Sequence, residues 1–289
     1  MNIWAIVNQK GGVGKTTTTA MLAAELAARG NRVLCLDVDP HASLAHYLRI
    51  DPDAERMGLA DLFSKECEQL SQIIHQTEWA GVSLATGGSR LATLDRHGRQ
   101  GLGRVLGAAL KQVSDQYDWV LIDCPPTLGV LTINALAACD LLLIPTQTEF
   151  LALKGLDSML RTRDMVQKAR GHELKCRIIP TLFDGRTRAC KDALAEMQNK
   201  YPDFVCPQAI PTDTKVREAS AAGIPLLIHA PDARATLAYH ALVDGLLGVA
   251  TTSQGDINRE AESQAPIQHE SVLQAAQAEL AQATREAAL

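Results

Sequence analysis

The sequence lacks several features that would place it in or beyond a membrane. None of its apolar runs is long enough to cross a bilayer, which excludes a membrane-spanning helix. The amino terminus has no basic stretch, apolar stretch and cleavage site in the order of a secretory signal. The seven cysteines form no C-x-x-C pair and have no histidines at zinc spacing. We therefore expect a cytoplasmic protein with reduced thiols.

Positive charge is also scarce. The chain has 28 Lys and Arg against 33 Asp and Glu, and its net charge of −5 argues against wholesale binding of a polyanion. The distribution is uneven, because residues 161–218 contain 12 basic and 8 acidic side chains, a net charge of +4. The rest of the chain has 16 basic and 25 acidic side chains, a net charge of −9. A local basic surface is compatible with this pattern.

Short apolar runs alternate with helix-like segments along most of the chain. The runs contain Leu or β-branched residues without polar alternation, which is typical of strands buried on both faces. They are residues 3–7, 33–38, 119–122, 141–144 and 178–182, and the helix-like segments include 16–29, 101–116, 151–170 and 187–200. This alternation predicts an α/β fold, a doubly wound and mostly parallel sheet flanked by helices, over residues 1–250.

The carboxyl-terminal part has a different composition. Residues 251–269 are polar and interrupted by Gly and Pro, which predicts a linker. Residues 270–288 are rich in Ala, Gln and Glu and could form a helix with a thin apolar side of Val272, Leu273, Ala276 and Leu280. The tail 251–289 has six acids and two arginines, so its net charge is −4. A flexible tail with a marginal helix and a helix that docks on a partner both stay open.

A phosphate-binding loop follows the first apolar run. In VNQKGGVGKTTTT, residues 7–19, the glycines allow successive backbone N–H groups to line one concavity at the start of a helix. The predicted nucleotide-binding residues are Gly11, Gly12, Val13, Gly14, Lys15, Thr16 and Thr17. Lys15 would neutralise the β- and γ-phosphates, Thr16 would place its hydroxyl on Mg²⁺, and Thr17 would donate to the α-phosphate.

The loop has a second lysine, Lys10, and its letters KGGVGKTT resemble the deviant loop of the ParA/MinD family of ATPases. The resemblance implies that Lys10 reaches across a dimer interface to the phosphates bound by the other subunit. It also implies ATP and Mg²⁺ as cofactors, hydrolysis to ADP and phosphate, and a homodimer that forms around ATP. A cation from the partner would stabilise the charge that builds up in phosphoryl transfer.

Two further segments place carboxylates at strand ends. LDVDPHAS, residues 36–43, contains Asp37 and Asp39, and the family assigns water orientation to the residue matched by Asp39 and a position near Mg²⁺ to Asp37. The family usually has Gln where this chain has His41. YDWVLIDCPPTLG, residues 117–129, ends its apolar run in Asp123, a predicted holder of Mg²⁺.

The resemblance extends over residues 2–248. AIPTDTKVREASAAGIPLL, residues 209–227, is similar to the family's base-binding segment and makes Pro211 and Thr212 the candidate adenine contacts. DLLLIPTQTEFLALKGL, residues 140–156, resembles the strand and helix that form the family's dimer interface. Because four spaced motifs occur in order, the resemblance is specific.

ParA relatives bind the nucleoid without sequence preference, whereas MinD relatives bind membrane through a basic carboxyl-terminal helix. The acidic tail argues against a stable membrane anchor, and the local basic region favours DNA. The candidate DNA-binding residues are Arg186, Arg188, Lys191, Lys215 and Arg217. We expect a stimulating partner protein and a nucleoid- or pole-associated location, with a chromosome, a plasmid or a chemotaxis array as cargo.

Three other functions stay open at this point. A small-molecule kinase or ligase resembling dethiobiotin synthetase would keep the loop but need a substrate pocket. A reductase resembling nitrogenase iron protein would need two cysteines at a dimer face, and the loop after Asp123 has none at the corresponding place. A membrane-associated division-site regulator is the third. Because the chain begins at the loop strand, we expect no amino-terminal helix-turn-helix and no operator recognition.

Overall fold

The computed structural model describes residues 1–54, 57–97 and 105–248. Within these residues, seven strands form one sheet in the order β3-β4-β2-β5-β1-β6-β7. The strands are β1 (Asn2–Ile6), β2 (Val33–Asp37), β3 (His75–Gln76), β4 (Val82–Thr86), β5 (Trp119–Asp123), β6 (Leu141–Gln147) and β7 (Lys175–Thr181). Every neighbouring pair is parallel except β3 and β4, which are antiparallel.

Eleven α-helices in the described part of the chain connect and cover these strands. They are α1 (Lys15–Ala28), α2 (Ser43–Tyr47), α3 (Leu59–Ser64), α4 (Leu91–His97), α5 (Val105–Leu110), α6 (Val130–Ala138), α7 (Phe150–Arg170), α8 (Arg188–Lys200), α9 (Thr214–Ala222), α10 (Leu226–His229) and α11 (Arg234–Leu247).

Both faces of the sheet are covered by apolar side chains. Along β1, Trp4 and Ile6 belong to the cluster that includes α1 and α11, whereas Ala5 belongs to the cluster that includes α6 and α7. Alternate residues of a strand point to opposite faces of the sheet, and the β1 side chains on both faces are buried. The continuous apolar runs of the sequence are explained by this two-sided burial.

The parallel register aligns the carboxyl ends of the central strands. Asp37 at the end of β2 is the direct neighbour of Asp123 at the end of β5, and Ile6 at the end of β1 is the neighbour of Asp123 on the other side. The loop between β1 and α1 therefore opens at the edge that has both carboxylates. This is the edge where doubly wound sheets bind ligands.

The predicted α/β fold is confirmed, and each predicted apolar run lies on a strand with ends shifted by a few residues. The sequence analysis missed β3 and β4. In β4, Ser83 and Thr86 interrupt the apolar pattern although both are buried. The Ser83 hydroxyl donates to Gln76 of β3, which satisfies it inside the sheet.

Three of the four predicted helix segments match α1, α7 and α8 closely. The fourth, 101–116, is wrong in extent, because α5 ends at Leu110 and a 3-10 turn, Lys111–Val113, follows. Its first four residues lie outside the described part of the chain. The predicted linker and tail, 251–289, also lie outside it, as does the domain boundary at residue 250.

All seven cysteines are free thiols, and all are buried except the half-buried Cys190. Among the described helices, none combines the length and the apolar character needed to traverse a bilayer.

Candidate functional site

The loop between β1 and α1 forms an open concavity. Gly12 and Gly14 have φ angles of 75° and 89°, values that residues with a Cβ rarely adopt. A Cβ built on Gly11, Gly12 or Gly14 would meet no atom within 4 Å. The concavity therefore has a backbone lining and space in front of it, as a phosphate group requires.

The start of α1 leaves backbone donors without a protein cap. Gly14 occupies the position before the helix, and no side chain caps the first turn. The first N–H groups of an α-helix have no partner within the helix, and the helix dipole adds positive potential there. The amino terminus of α1 is consequently suited to an anion.

Lys15 is mostly buried at the base of the loop. Its Nζ donates to the backbone carbonyl of Lys10 at 3.3 Å, so the side chain lies along the inside of the loop. Burial lowers the pKa of Lys15, and the charges of Asp123 and Asp39 oppose this shift. The ammonium group is thus placed in the concavity, close to two carboxylates.

Asp123 is fully buried and is held by two hydroxyl groups of α1. Thr16 Oγ1 donates to Asp123 Oδ2 at 2.7 Å, and Thr19 Oγ1 donates to Asp123 Oδ1 at 3.1 Å. Thr16 and Thr19 can both face the strand because residues three apart lie on one side of a helix. The arrangement locks the end of β5 to the first turn of α1.

Asp37 and Asp39 accept backbone N–H groups at the end of β2. Asp37 receives the N–H of Asp39 at 3.3 Å and that of Ala45 at 2.9 Å, so both of its oxygens organise the loop and the following helix α2. Asp39 receives the N–H of His41 at 2.9 Å and is buried. His41, the departure from the family pattern, is itself exposed.

Burial shifts the pKa values of the two innermost carboxyls. Desolvation raises the pKa of Asp123 to about 7, and the nearby Asp39 adds to the shift while Thr16, Thr19 and Lys15 oppose it. Desolvation, followed by the charge of Asp123, raises the pKa of Asp37 well above its usual range. The described site therefore has an excess of buried acid, which a cation would relieve.

Lys10 lies at the outer rim of the loop. Its Nζ donates to Gln147 Oε1 at 3.2 Å and makes an ion pair with Glu149. Gln147 is the last residue of β6, and Glu149 lies two residues after it. The side chains of Lys10 and Glu149 are 38% and 36% exposed, so this pair is at the surface. Lys10 does not enter its own loop in this structure.

The segment with the predicted adenine contacts, Pro211 and Thr212, pairs with the chain that follows β7, beside the same loop. Thr181 at the end of β7 donates its hydroxyl to the carbonyl of Val13 at 2.8 Å. Phe183 then pairs with Pro211 as an isolated bridge, and the N–H of Thr212 donates to the carbonyl of Phe183 at 3.0 Å. Pro211 is half-buried and Thr212 is exposed, which leaves both accessible to a base.

The candidate DNA-binding residues lie apart from the loop, on α8, α9 and the turn before α8, and all five are exposed. Three of them have acidic neighbours: Arg186 pairs with Asp184, Arg188 with Asp192 at 3.5 Å, and Lys215 with Glu218. Among the described residues, no ion pair involves Lys191 or Arg217.

The sequence analysis missed three contributors to the site. Thr19 holds Asp123, Glu149 holds Lys10, and Asn8 donates its side-chain amide to the carbonyl of Pro145 at 2.7 Å while accepting the N–H of Lys10. Of these three residues, only Thr19 could have been identified from the sequence, because it follows Thr16 by three residues on a predicted helix and so lies on the same side of it.

The residues present fit Mg²⁺ bound together with phosphates. Among the described residues, no group of three or more His, Cys, Asp or Glu side chains could hold a metal on its own. The site instead offers the Thr16 hydroxyl with the Asp123 carboxylate directly behind it. Mg²⁺ commonly takes one or two protein groups, substrate phosphates and water, so this donor set is sufficient.

Comparison with known proteins agrees with this geometry. Residues 1–176 match a family model described as an AAA domain. The chain is 35% identical over 246 residues to the sporulation initiation inhibitor protein Soj of Bacillus subtilis (strain 168), covering 82% of this chain and 94% of Soj. It is 33% identical over 243 residues to the chromosome partitioning protein ParA of Myxococcus xanthus (strain DK1622), covering 83% of this chain and 86% of that protein.

A solved structure is similar over the same region. It is cobyrinic acid a,c-diamide synthase from Mycobacterium smegmatis with a bound ATP analog and magnesium. The TM-score is 0.74 and the sequence identity is 33%, with 86% of this chain and 94% of that chain covered.

The raised pKa of Asp123 predicts how stability depends on pH without nucleotide. A carboxyl whose pKa is higher in the folded than in the unfolded state stabilises the fold at low pH and loses that contribution as pH rises. We expect the melting temperature to fall between pH 5 and pH 7.5, and Asp123→Asn to reduce this fall. Asp118→Asn is the matched control, because Arg32 lowers the pKa of Asp118 to about 2, below this pH window. An unchanged slope in Asp123→Asn would contradict the assignment.

Proposed function

The chain belongs to the ParA/MinD family of P-loop ATPases, and from this we propose that it is a positioning ATPase that dimerises around ATP, binds DNA without sequence preference and moves a cargo. The observation that carries the proposal is a two-lysine glycine loop beside the aligned carboxylates Asp37 and Asp123, with Asp39 two residues beyond Asp37. ATP and Mg²⁺ are the cofactors.

Each chain would bind nucleotide through its own loop. Lys15 and the uncapped N–H groups of α1 would hold the phosphates, and Thr16 would offer its hydroxyl oxygen to the metal while its proton stays on Asp123. Mg²⁺ with ATP supplies the phosphoryl group to be transferred and neutralises its charge. Pro211 and Thr212 contact the base from the adjoining segment.

Lys10 would act on the nucleotide held by the partner chain. Its contact with Glu149 and Gln147 lies at the rim of the loop and is partly exposed. Surface ion pairs of this kind contribute only about 0–1 kcal/mol, so phosphate oxygens across an interface compete with Glu149 easily. A lysine supplied by the second chain makes hydrolysis depend on dimerisation.

Asp39 would orient the attacking water. Its side chain is buried, lies two residues after the end of β2 and keeps one oxygen on the N–H of His41. The second oxygen is therefore the one that accepts a hydrogen bond from water. Positioning of this kind is the main task of the protein in phosphoryl transfer.

DNA binding would depend on the basic residues of α8 and α9. Since Arg186, Arg188 and Lys215 share their charge with neighbouring acids, Lys191 and Arg217 are the strongest candidates for phosphate contacts. Dimerisation doubles the number of contacts and so makes DNA affinity depend on ATP.

The cargo would be a chromosome, a plasmid or a protein assembly such as a chemotaxis array, and a partner protein bound to it would stimulate hydrolysis. The relatives named Soj and ParA support partition, and the protein would then be found on the nucleoid or at a pole. A membrane-associated role like that of MinD is the alternative within the family.

A second candidate is ATP-dependent synthesis on a small molecule, because a similar structure is named a cobyrinic acid diamide synthase. A kinase or ligase resembling dethiobiotin synthetase belongs to the same class. Such an enzyme needs its small substrate for turnover, whereas a positioning ATPase hydrolyses ATP alone and faster with DNA or a protein partner. Phosphate release with and without DNA separates the two classes.

Asp39→Ala tests the switch. We expect this variant to bind ATP and form a DNA-bound dimer that hydrolyses ATP at least ~100-fold more slowly, because the water loses its orienting group. Light scattering measures the mass of the dimer, and co-sedimentation detects its complex with DNA. Phosphate release measures the rate of ATP hydrolysis. Lys15→Ala is the control that should lose nucleotide binding. A monomeric Asp39→Ala protein in saturating ATP would contradict the proposal.

Salt dependence tests the DNA surface. Each lost phosphate contact lowers the slope of log affinity against log salt by about 0.9. We expect Lys191→Ala and Arg217→Ala to reduce the slope more than Arg186→Ala, whose side chain already pairs with Asp184. Lys111→Ala, an exposed lysine outside the basic segment, is the control. Equal slopes for Lys111→Ala and the two test variants would place the DNA elsewhere.

A further inference from the structure

The short helix α2 has a residue in the left-handed conformation on each side of it. Ala42, just before the helix, has a φ of 49°, and Arg49, two residues after its end, has a φ of 56°. Residues with a Cβ rarely adopt this conformation, and glycine is the usual residue where a helix ends in it. Both turns that connect α2 to the rest of the chain are therefore strained.

The hydroxyl group of Tyr47, the last residue of α2, is a second unfavourable feature. Tyr47 is buried, and its ring packs edge to face on Trp79 with 5.6 Å between the ring centres. Within the part of the chain that the structure describes, its hydroxyl has no hydrogen-bond partner. A buried polar group without a partner destabilises the conformation that contains it. Strain of this kind is typical of switch regions, which have two alternative positions.

The beginning of α2 contacts the carboxylates of the nucleotide site. Asp37 accepts the N–H of Ala45 on one oxygen at 2.9 Å and that of Asp39 on the other at 3.3 Å. Asp37 is also the direct neighbour of Asp123 in the sheet. The Asp37 oxygens would be attracted by a cation held beside Asp123, and their bond to Ala45 would weaken. The hold on α2 therefore depends on what binds at the nucleotide site.

The other end of α2 contacts the turn that follows α9. The Arg49 guanidinium donates to the carbonyl of Ala222, the last residue of α9. A Cβ built on Gly223, the next residue, would overlap the Arg49 side chain, so this side chain lies directly on the turn. Trp79, which packs on Tyr47, donates its indole N–H to the carbonyl of Gly223 at 2.9 Å. The end of α9 is thus held by Arg49 together with Trp79.

We propose that α2 is a switch helix that transmits the state of the nucleotide site to α9, with Arg49 as the positioning residue. The inference rests on the proposed nucleotide binding and deepens it, because α9 has two candidate DNA contacts, Lys215 and Arg217. In the described conformation Arg49 holds the end of α9. When nucleotide binds, Asp37 releases α2, the strained turns relax and Arg49 leaves α9. A single chain then has a loosened α9 before it meets a partner.

Hydrogen exchange of the full-length protein, measured by mass spectrometry, tests this coupling. Peptides from residues 214–225 report on the end of α9, and peptides from residues 8–20 report on the nucleotide loop. The probe is Mg²⁺ with a non-hydrolysable ATP analogue, at a protein concentration at which light scattering gives the mass of one chain. We expect the analogue to protect the loop and to raise exchange at the end of α9 about threefold or more, because Arg49 no longer holds it.

Arg49→Asn separates coupling from simple support of the turn. Asparagine tolerates the left-handed conformation but is too short to reach α9. We expect exchange at the end of α9 to be raised already without the analogue and to stay unchanged when it is added, while the loop is still protected. Arg49→Lys keeps a long cationic donor and should retain part of the response. Lys65→Asn is the matched control, because Lys65 is also an exposed cation, with a φ of 66°, just after the short helix α3.

The outcomes distinguish this inference from the proposed function. Protection of the loop without any change at the end of α9 in the unaltered protein would overturn the coupling and leave nucleotide binding intact. An unprotected loop would overturn both. If the analogue changed exchange at α9 by the same factor in Arg49→Asn as in the unaltered protein, Arg49 would only support the turn, and the coupling would again be wrong.

Tyr47→Phe gives an independent measurement of the switch. Removing the unsatisfied hydroxyl stabilises the described position of α2, so the melting temperature without nucleotide should rise. Whatever stabilises that position lowers the affinity for nucleotide by linkage, and we expect the dissociation constant of the analogue to increase about fivefold. Tyr117→Phe, at a half-buried tyrosine before β5, is the control that should leave the constant unchanged. An unchanged dissociation constant in Tyr47→Phe would contradict the switch, whatever its melting temperature.

Discussion

The buried carboxylate of Asp123 is the constraint on which the site depends. It ends the central strand β5, receives the hydroxyls of Thr16 and Thr19 from α1, and is the direct neighbour of Asp37 on β2. A charged group in this position is costly without a counter-charge. The fold therefore places a carboxylate where Lys15 and a metal ion with phosphates can balance it. The hydrogen bonds from Thr16 and Thr19 to Asp123 fix the start of α1, and with it the glycine loop, against the end of β5.

The second lysine of the loop has a different kind of environment. Lys15 is buried among acids, whereas Lys10 is at the rim and shares its charge with Glu149. A weak surface pair keeps Lys10 ordered and leaves it available to a stronger anion. Within a single chain, the Lys10 side chain contacts Gln147 and Glu149 and not the inside of its own loop. This difference between two lysines five residues apart is what the proposed dimer explains.

Much of this site could be predicted from the sequence because its determinants are local. The glycines and Lys15 fall in one segment, and Asp39 and Asp123 follow apolar runs that a parallel sheet aligns at one edge. The sequence analysis did not predict strand β4, because its polar residues Ser83 and Thr86 interrupt the apolar pattern although the strand is buried. The contact of Lys10 with Glu149 joins residues 139 positions apart, and no pattern in the sequence specifies such a pair.

The most direct measurement of the central claim uses a mixture of two inactive variants, Lys10→Ala and Asp39→Ala. In a mixed dimer, the site of the Lys10→Ala chain has its own Asp39 and receives Lys10 from the other chain, so it is complete. About half of the dimers are mixed and each has one complete site, which predicts about a quarter of the unaltered ATPase rate. If Lys10 served its own chain, neither site would be complete, and a mixture no more active than the separate variants would contradict the account.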